Sequence, residues 1–79
     1  MIKKRDGRVK KIVGKRIKAA REKKGMGQGT LSDKLEMNPC VMYHYEMGKI
    51  APSVEVVVKL SKILGVSADY LLGIKARMK

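Results

Sequence analysis

Several residue types are scarce in this sequence, and each shortage excludes a class of protein. With one cysteine, Cys40, the chain forms no internal disulfide, so we expect a reducing compartment, the cytoplasm. No apolar run approaches the roughly 18 residues of a membrane span, and the basic N-terminus lacks the apolar stretch of a secretory signal. Trp and Phe are absent, which leaves three Tyr as the only aromatics. We therefore expect no membrane partner and a core made of Val, Leu, Ile and Met.

Acidic residues are scarce as well, with seven Asp and Glu against 19 Lys and Arg, a net charge of +12. The excess is uneven, because residues 1–24 carry 12 of the basic residues against only Asp6 and Glu22. A basic region on a nearly neutral body is typical of proteins that bind polyanions such as nucleic acids. A charged face that only keeps the protein soluble is the alternative interpretation.

The groups that catalysis needs are also missing. The sequence offers no nucleophile–base pair and no acidic cluster for a metal ion, and its glycines between positions 25 and 29 do not match a Walker loop. Cys40 and His44 lie four residues apart on one predicted helix, but two ligands do not make a structural zinc site. We therefore expect no enzyme, no metal and no cofactor. A chain of 79 residues is expected to form one domain.

Apolar residues at helical spacing, interrupted by glycine and proline, make up most of the chain. Val13 and Ile17 share one face of a first helix, which Gly25 ends. Asn38-Pro39 is a helix start signal, because Asn caps a helix and Pro loses no hydrogen bond at the first position. The second and third helices are separated by only three residues, which is typical of a helix-turn-helix. The predicted helices cover residues 13–24, 28–35, 39–47, 54–64 and 68–72.

The two ends of the chain are predicted to lie outside the helical domain, which covers residues 13–73. Residues 1–12 form a basic run, and such terminal runs are usually solvated arms. Asp6-Gly7 is also a turn signal between 2–5 and 8–12, so a short β-hairpin is the alternative interpretation of the arm. Residues 74–79 are expected to form a basic tail.

An ordered set of short motifs carries a resemblance to a known family. The motifs are Gly14-Lys15-Arg16-Ile17, Arg21, Gly25-Met26, Gln28, Leu31, Leu35, Tyr45-Glu46, Gly48-Lys49, Pro52-Ser53 and the stretch 64–73. At this spacing, residues 13–73 resemble the Cro/C1-type helix-turn-helix family of phage repressors and xenobiotic-response-element-like bacterial regulators. The resemblance implies an all-α, compact bundle of five short helices of the lambda-repressor-like type. It also implies a homodimer that binds double-stranded DNA, with helix 39–47 in the major groove.

The resemblance assigns roles to individual residues. It implies that the outward positions of the third helix read base edges; these are Asn38, Pro39, Cys40, Tyr43 and His44. It implies phosphate contacts for Gln28, Gly29, Lys49 and Arg16. Arg21 and Glu46 match the family's salt bridge between the first and third helices. Asn38 has two interpretations, since the same amide either caps its helix or bonds an adenine.

Three positions depart from the family's pattern, and together they predict a less stable motif. Glu36 stands in the turn where glycine is common, and a positive φ there would cost glutamate about 1 kcal/mol. Ala20 replaces the usual Leu, and Gly27 replaces the usual Ser or Thr cap. The third helix also lacks the Arg and Gln side chains that most often make bidentate contacts with bases.

Three functions compete at this stage. The first is sequence-specific transcriptional regulation, with repression as the expected sign and a dimer interface at the last helix and Ile74. The second is a protein-interaction module, because Pro39-x-Val41 and Tyr45-Glu46-x-Gly48-Lys49 also look like the motif of multiprotein-bridging coactivators. Antitoxins of the same fold likewise bind a protein, so the partner would be a toxin or a transcription factor. The third is a non-specific nucleic-acid binder, supported by charge alone.

Overall fold

The computed structural model describes residues 7–78, and these form five helices joined by short links. The prediction of an all-α, five-helix fold is confirmed, and residues 7–78 contain no strand. Helices α2 to α5 begin at the predicted residues. The helices are α1, Gly7–Lys23; α2, Gln28–Lys34; α3, Pro39–Glu46; α4, Val54–Leu64; and α5, Ala68–Leu71.

Helix α1 begins six residues earlier than predicted. Residues 7–12 are helical, so the predicted arm is wrong for these residues, and so is the second strand of the alternative hairpin. Residues 2–5, the first strand of that hairpin, lie outside the described residues. Tertiary contacts explain the extension, because a Cβ on Gly73 would lie 2.7 Å from Ile12 Cγ2 and one on Gly48 would lie 2.9 Å from Lys11 Cγ. The first turns of α1 are thus packed against the links that follow α3 and α5.

The core is a single apolar cluster with α1 at its centre. Helix α1 packs against α3, α4 and α5. The backbones of α1 and α3 come close together at Gly14, where a Cβ would collide with the backbone carbonyl oxygens of Tyr45 and Glu46. Val, Leu, Ile and Met supply most of the buried side chains, as the composition predicts. The core residues are Val13, Ile17, Ala20, Leu31, Leu35, Met42, Tyr45, Val57, Leu60, Leu64, Val66, Tyr70 and Leu71.

Side-chain caps fix where three of the helices start. Asn38 Oδ1 accepts a hydrogen bond from the backbone N–H of Cys40 at 2.7 Å, and Pro39 occupies the first turn of α3. Ser53 and Ser67 cap α4 and α5 in the same way. Each cap satisfies a backbone N–H that has no partner inside its helix. None of the helices in residues 7–78 is long and apolar enough to cross a bilayer.

Candidate nucleic-acid interface

The turn between α2 and α3 places the two helices of the motif. The N–H of Glu36 donates to Asp33 O and the N–H of Met37 donates to Ser32 O, both at 3.0 Å. This pair of bonds closes the end of α2 as a Schellman motif, in which the turning residue adopts a left-handed conformation. Glu36 is that residue, with φ of 55°, and it is the only non-glycine residue with positive φ among residues 7–78. The condition under which glutamate costs stability at this position is therefore met.

An ion pair ties the end of α3 to α1. Arg21 Nε lies 2.7 Å from Glu46 Oε2 and Arg21 Nη2 lies 3.0 Å from Glu46 Oε1, a two-point contact. The two side chains are only 10% and 3% exposed. The hydrogen bond to Glu46 raises the pKa of Arg21 above its usual value, although burial opposes the change. The resemblance implied this salt bridge, and the structure contains it.

The ion pair extends into the link before α2. Arg21 Nη1 donates to Met26 O at 2.8 Å, and Gln28 Nε2 donates to Glu46 Oε1 at 2.9 Å. Four segments therefore meet at one buried carboxylate and guanidinium: α1, the α1–α2 link, the start of α2 and the end of α3. Because these bonds are charge-assisted and shielded from water, they fix the orientation of α3 relative to α1.

The outward face of α3 is exposed and carries almost no charge. Pro39, Cys40 and Tyr43 are exposed, with 46% of Tyr43 accessible, and His44 is half-buried. The Tyr43 and His44 rings lie 5.7 Å apart at an angle of 55°. On the opposite face Met42 and Tyr45 are buried, so the predicted division of this helix is the one observed.

Asn38 immediately precedes α3, and its amide oxygen accepts a hydrogen bond from the backbone of that helix. Its Oδ1 caps α3 through Cys40 N, which leaves only the amide NH₂ for another partner. A bidentate contact with adenine needs both the oxygen and the nitrogen. The structure therefore favours the capping interpretation over the base-reading one.

Met47 is a residue of this face that sequence reasoning missed. It follows the last helical residue of α3 and is 52% exposed. It lies seven residues after Cys40 and four after Tyr43, so it continues the same stripe around the helix. The spacing of residues 40, 43 and 47, which is that of one helix face, is the sequence signal that identifies Met47 as part of this face.

The predicted phosphate-contacting residues divide into two groups. Gly29 and Lys49 are exposed and Gln28 is half-buried at the start of α2. Arg16, by contrast, is used inside the fold: its Nη1 donates to Tyr70 O at 2.9 Å and Lys75 O at 2.8 Å. Its guanidinium also lies 4.4 Å from the centroid of the Tyr70 ring. Arg16 therefore ties α1 to α5 and the C-terminal segment.

The positive charge lies mainly on α1 and not on this face. Helix α1 carries eight Lys and Arg residues and one Glu. Helices α2 and α3 together carry one Lys and one His against Asp33 and the paired Glu46. Within residues 7–78 no three His, Cys, Asp or Glu side chains are grouped to hold a metal ion. The arrangement offers hydrogen-bonding and apolar groups on α3 next to a strongly basic helix.

Comparison with known proteins places this geometry in a family. The sequence profile of a family described as helix-turn-helix matches residues 17–71, which include all of α2, α3 and α4. The chain belongs to the Cro/C1-type helix-turn-helix family. The resemblance drawn from the motifs is thereby confirmed.

Individual relatives in this helix-turn-helix family include bacterial and eukaryotic proteins. The chain is 42% identical over 61 residues to the SPbeta prophage-derived HTH-type transcriptional regulator YonR of Bacillus subtilis, covering 77% of this chain and 56% of that one. It is 39% identical over 61 residues to multiprotein-bridging factor 1 of Candida albicans, covering 73% and 40%. The chain thus spans about half the length, or less, of the curated relatives it matches.

A solved structure supports the same fold. The apo form of the competence regulator ComR from Streptococcus vestibularis superposes with a TM-score of 0.73 and 32% sequence identity. The match covers 82% of this chain and 22% of that one. The five-helix unit is therefore found in this relative as part of a much longer protein.

Proposed function

We propose that this chain is a cytoplasmic, sequence-specific repressor that binds double-stranded DNA as a dimer, with α3 in the major groove. The observation that carries the proposal is the exposed, uncharged face of α3, whose orientation is fixed by the buried contacts among Arg21, Gln28 and Glu46. A reading helix must be held rigidly because base contacts depend on sub-ångström geometry. The name of the relative YonR, a transcriptional regulator, supports the same function.

Base recognition is assigned to the α3 face. Tyr43 and His44 supply hydrogen-bond donors, and Pro39, Cys40 and Met47 supply apolar contacts suited to a thymine methyl. Asn38 acts chiefly as the cap, with its NH₂ group free for a single additional bond. With these side chains, discrimination depends on few hydrogen bonds and on apolar contacts.

Phosphate contacts are assigned to the residues around this face. Gly29, in the first turn of α2, and Lys49, after the end of α3, are exposed, and the half-buried Gln28 donates to Glu46. Contacts of this kind position a protein on the duplex without reading its sequence. The basic side chains of α1 add a longer-range attraction that falls steeply with salt.

Dimerisation is proposed through the C-terminal end of the domain. Leu72 is 39% exposed and Ile74 is 73% exposed, so two apolar side chains lie free just after α5. One module reaches only a few base pairs, and two modules on neighbouring half-sites supply the remaining affinity. Replacing Ile74 by Asp is expected to give a monomer in sedimentation analysis, whereas replacing Val54, which is 80% exposed, by Asp is not.

Sequencing the duplexes that the full chain selects from a random pool is the experiment that tests the proposal. We expect an enriched site with two-fold symmetry and half-sites about one helical turn apart. Enrichment of a single asymmetric half-site would contradict the dimer, and no enrichment at all would contradict sequence-specific binding. Binding that ignores sequence and collapses with salt would instead support the non-specific alternative.

The relative multiprotein-bridging factor 1 favours a second candidate, a module that binds another protein. Its partner would be a transcription factor, or a toxin if the chain acts as an antitoxin. A protein that co-purifies in stoichiometric amount, together with no selected DNA site, would favour this candidate over the repressor.

A further inference from the structure

A groove on the side of the helical bundle has an apolar floor. It has a volume of about 730 Å³ and is open to solvent along one side. Ala20 of α1, Leu64 of α4 and Val66 of the α4–α5 link line it. Ala20 presents only a methyl group at its position on α1 and is 2% exposed.

The C-terminal segment forms one wall of this groove and is pinned in two places. Met78 lines the groove, and its carbonyl oxygen accepts a hydrogen bond from Ser67 N at 2.7 Å. Upstream, the carbonyl oxygen of Lys75 accepts from Arg16 Nη1 at 2.8 Å. The wall is therefore part of the folded unit, and the groove has a defined shape.

All the charged residues that line the groove are cationic, and we call them its rim. Lys23 and Lys24 at the end of α1 and Arg77 of the C-terminal segment surround the apolar floor, and no Asp or Glu lines it. All three side chains belong to exposed residues. An apolar floor inside a ring of positive charge complements an apolar group flanked by carboxylates.

We propose that this groove docks an acidic amphipathic segment of a partner protein. An apolar side chain of that segment lies over Ala20, and its neighbouring Asp or Glu carboxylates pair with Lys23, Lys24 and Arg77. This surface is separate from the α3 face, so the proposal does not depend on DNA binding.

The observations favour this occupant over three others. A DNA backbone has phosphates for the rim but no apolar side chain for the floor. A small molecule is disfavoured because an open groove does not bury most of its surface. A second copy of this chain is disfavoured at this groove because Ile74, the exposed apolar side chain assigned to the dimer, is followed by Lys75 and Arg77 and has no neighbouring carboxylate.

The test is a titration of the isotope-labelled 79-residue chain, followed by NMR, with a synthetic peptide. The probe is a capped 14-residue helical peptide of Glu and Ala that carries Leu at two positions four residues apart. We expect saturable shifts at Gly65 and Val66. A matched peptide with both Leu replaced by Ser keeps the charge and is expected to bind about tenfold more weakly or worse.

Variants of the protein separate the floor from the rim. Ala20→Leu fills the floor and is expected to weaken peptide binding about tenfold, whereas Ala19→Leu, the same change at the exposed neighbour, is not. Arg77→Glu reverses a rim charge and is expected to weaken binding more than Lys18→Glu, which changes the net charge equally at an exposed site off the groove. Circular dichroism checks the fold, and the rim variants keep the proposal testable where Ala20→Leu fails to fold.

Three results would overturn the proposal. One is the absence of saturable shifts at Gly65 and Val66 up to millimolar peptide. Another is equal affinity for the Leu and Ser peptides, which would leave only an unspecific attraction for acids. The third is a short DNA duplex that produces the same shifts and loses them in the Arg77→Glu variant, which would assign the rim to DNA phosphates.

Discussion

Helix α1 and the α2–α3 pair share one core, yet they differ in charge and in what they expose. Helix α1 carries eight basic residues and also supplies Val13, Ile17 and Ala20 to the core. The α2–α3 pair is close to neutral and exposes the face of α3 instead. In the proposed repressor, attraction to DNA therefore comes mainly from one helix and discrimination from another. This separation means that affinity and specificity can be changed independently.

The largest expected effect comes from breaking the contact that joins the two regions. Glu46→Ala removes the carboxylate and leaves the Arg21 guanidinium buried without its partner. Because unpaired buried charges are costly, we expect a loss of about 3–5 kcal/mol in the free energy of unfolding. Thermal and urea unfolding without DNA measure it.

The double variant Arg21→Met, Glu46→Ala is the control for this prediction. It removes both charges, so we expect it to be more stable than Glu46→Ala alone. Equal destabilisation by the single and double variants would show that the pair acts through packing and not through charge.

The next effect concerns discrimination by the α3 face alone. Tyr43→Ala removes an exposed aromatic side chain with a hydroxyl, and we expect the preference for the selected site over a scrambled duplex to fall by about 1–3 kcal/mol. Competition binding at fixed salt measures the ratio. The fold should be unchanged, because Tyr43 is 46% exposed.

The variant Tyr43→Phe separates the two parts of that side chain. It keeps the ring and removes the hydroxyl, so full specificity in this variant would assign recognition to apolar contact. If Tyr43→Ala lowers affinity for both duplexes equally, Tyr43 contacts the backbone and the assignment to base reading is wrong.

A smaller, uniform effect is expected from removing charge on α1. Changing Arg8, Lys15 and Lys18 together to Gln should weaken binding to all duplexes about tenfold, or roughly 1.4 kcal/mol. The dependence of log K on log salt should become shallower by up to about 0.9 for each phosphate contact that is lost. These three residues are exposed. A selective loss for the specific site, with an unchanged salt slope, would contradict the division between the helices.

Substitutions are a cleaner test of α1 than truncation. Deleting residues 1–11 would also remove the first turns of the helix, including the contact of Lys11 with Gly48. A loss of DNA binding after such a deletion could therefore result either from the removed charge or from a less stable fold, and the experiment would not distinguish the two.

The smallest expected effect lies in the turn of the helix-turn-helix. Glu36→Gly relieves the left-handed backbone, and we expect the free energy of unfolding to rise by up to about 1 kcal/mol. Glu36→Gln removes the same negative charge but keeps the side chain, so it should give no such gain. Equal stabilisation by both variants would assign the effect to charge and not to backbone conformation. Urea unfolding of the three proteins makes this comparison.

Local signals in the sequence predicted most of the fold. Helices α2 to α5 begin at the predicted residues, as at Asn38-Pro39, where the capping residue was recognised from the sequence. Caps act over three or four residues, so they can be recognised from the local sequence alone. The assignment of Met42 and Tyr45 to the buried face of α3 follows from the helical period in the same way.

Long-range contacts account for what sequence reasoning missed. The start of α1 depends on packing of Ile12 against Gly73, some 60 residues away, which no local pattern reveals. The use of Arg16 is similar, since its partners Tyr70 and Lys75 lie at the other end of the domain. From the sequence alone, a basic residue in a basic run is predicted to contact DNA. Only the fold shows that the Arg16 guanidinium lies against the Tyr70 ring and two backbone carbonyl oxygens.

The sequence by itself determined the helical segments, the uneven charge and the family, because periodicity, caps and spaced motifs are local properties. Only the tertiary structure decided how α3 is held and which basic side chains are used inside the fold. The meeting of Arg21, Gln28 and Glu46 and the groove beside Ala20 both arise from helices packing together. Both features depend on contacts between residues that are distant in the chain. Such contacts exist only once the core has formed.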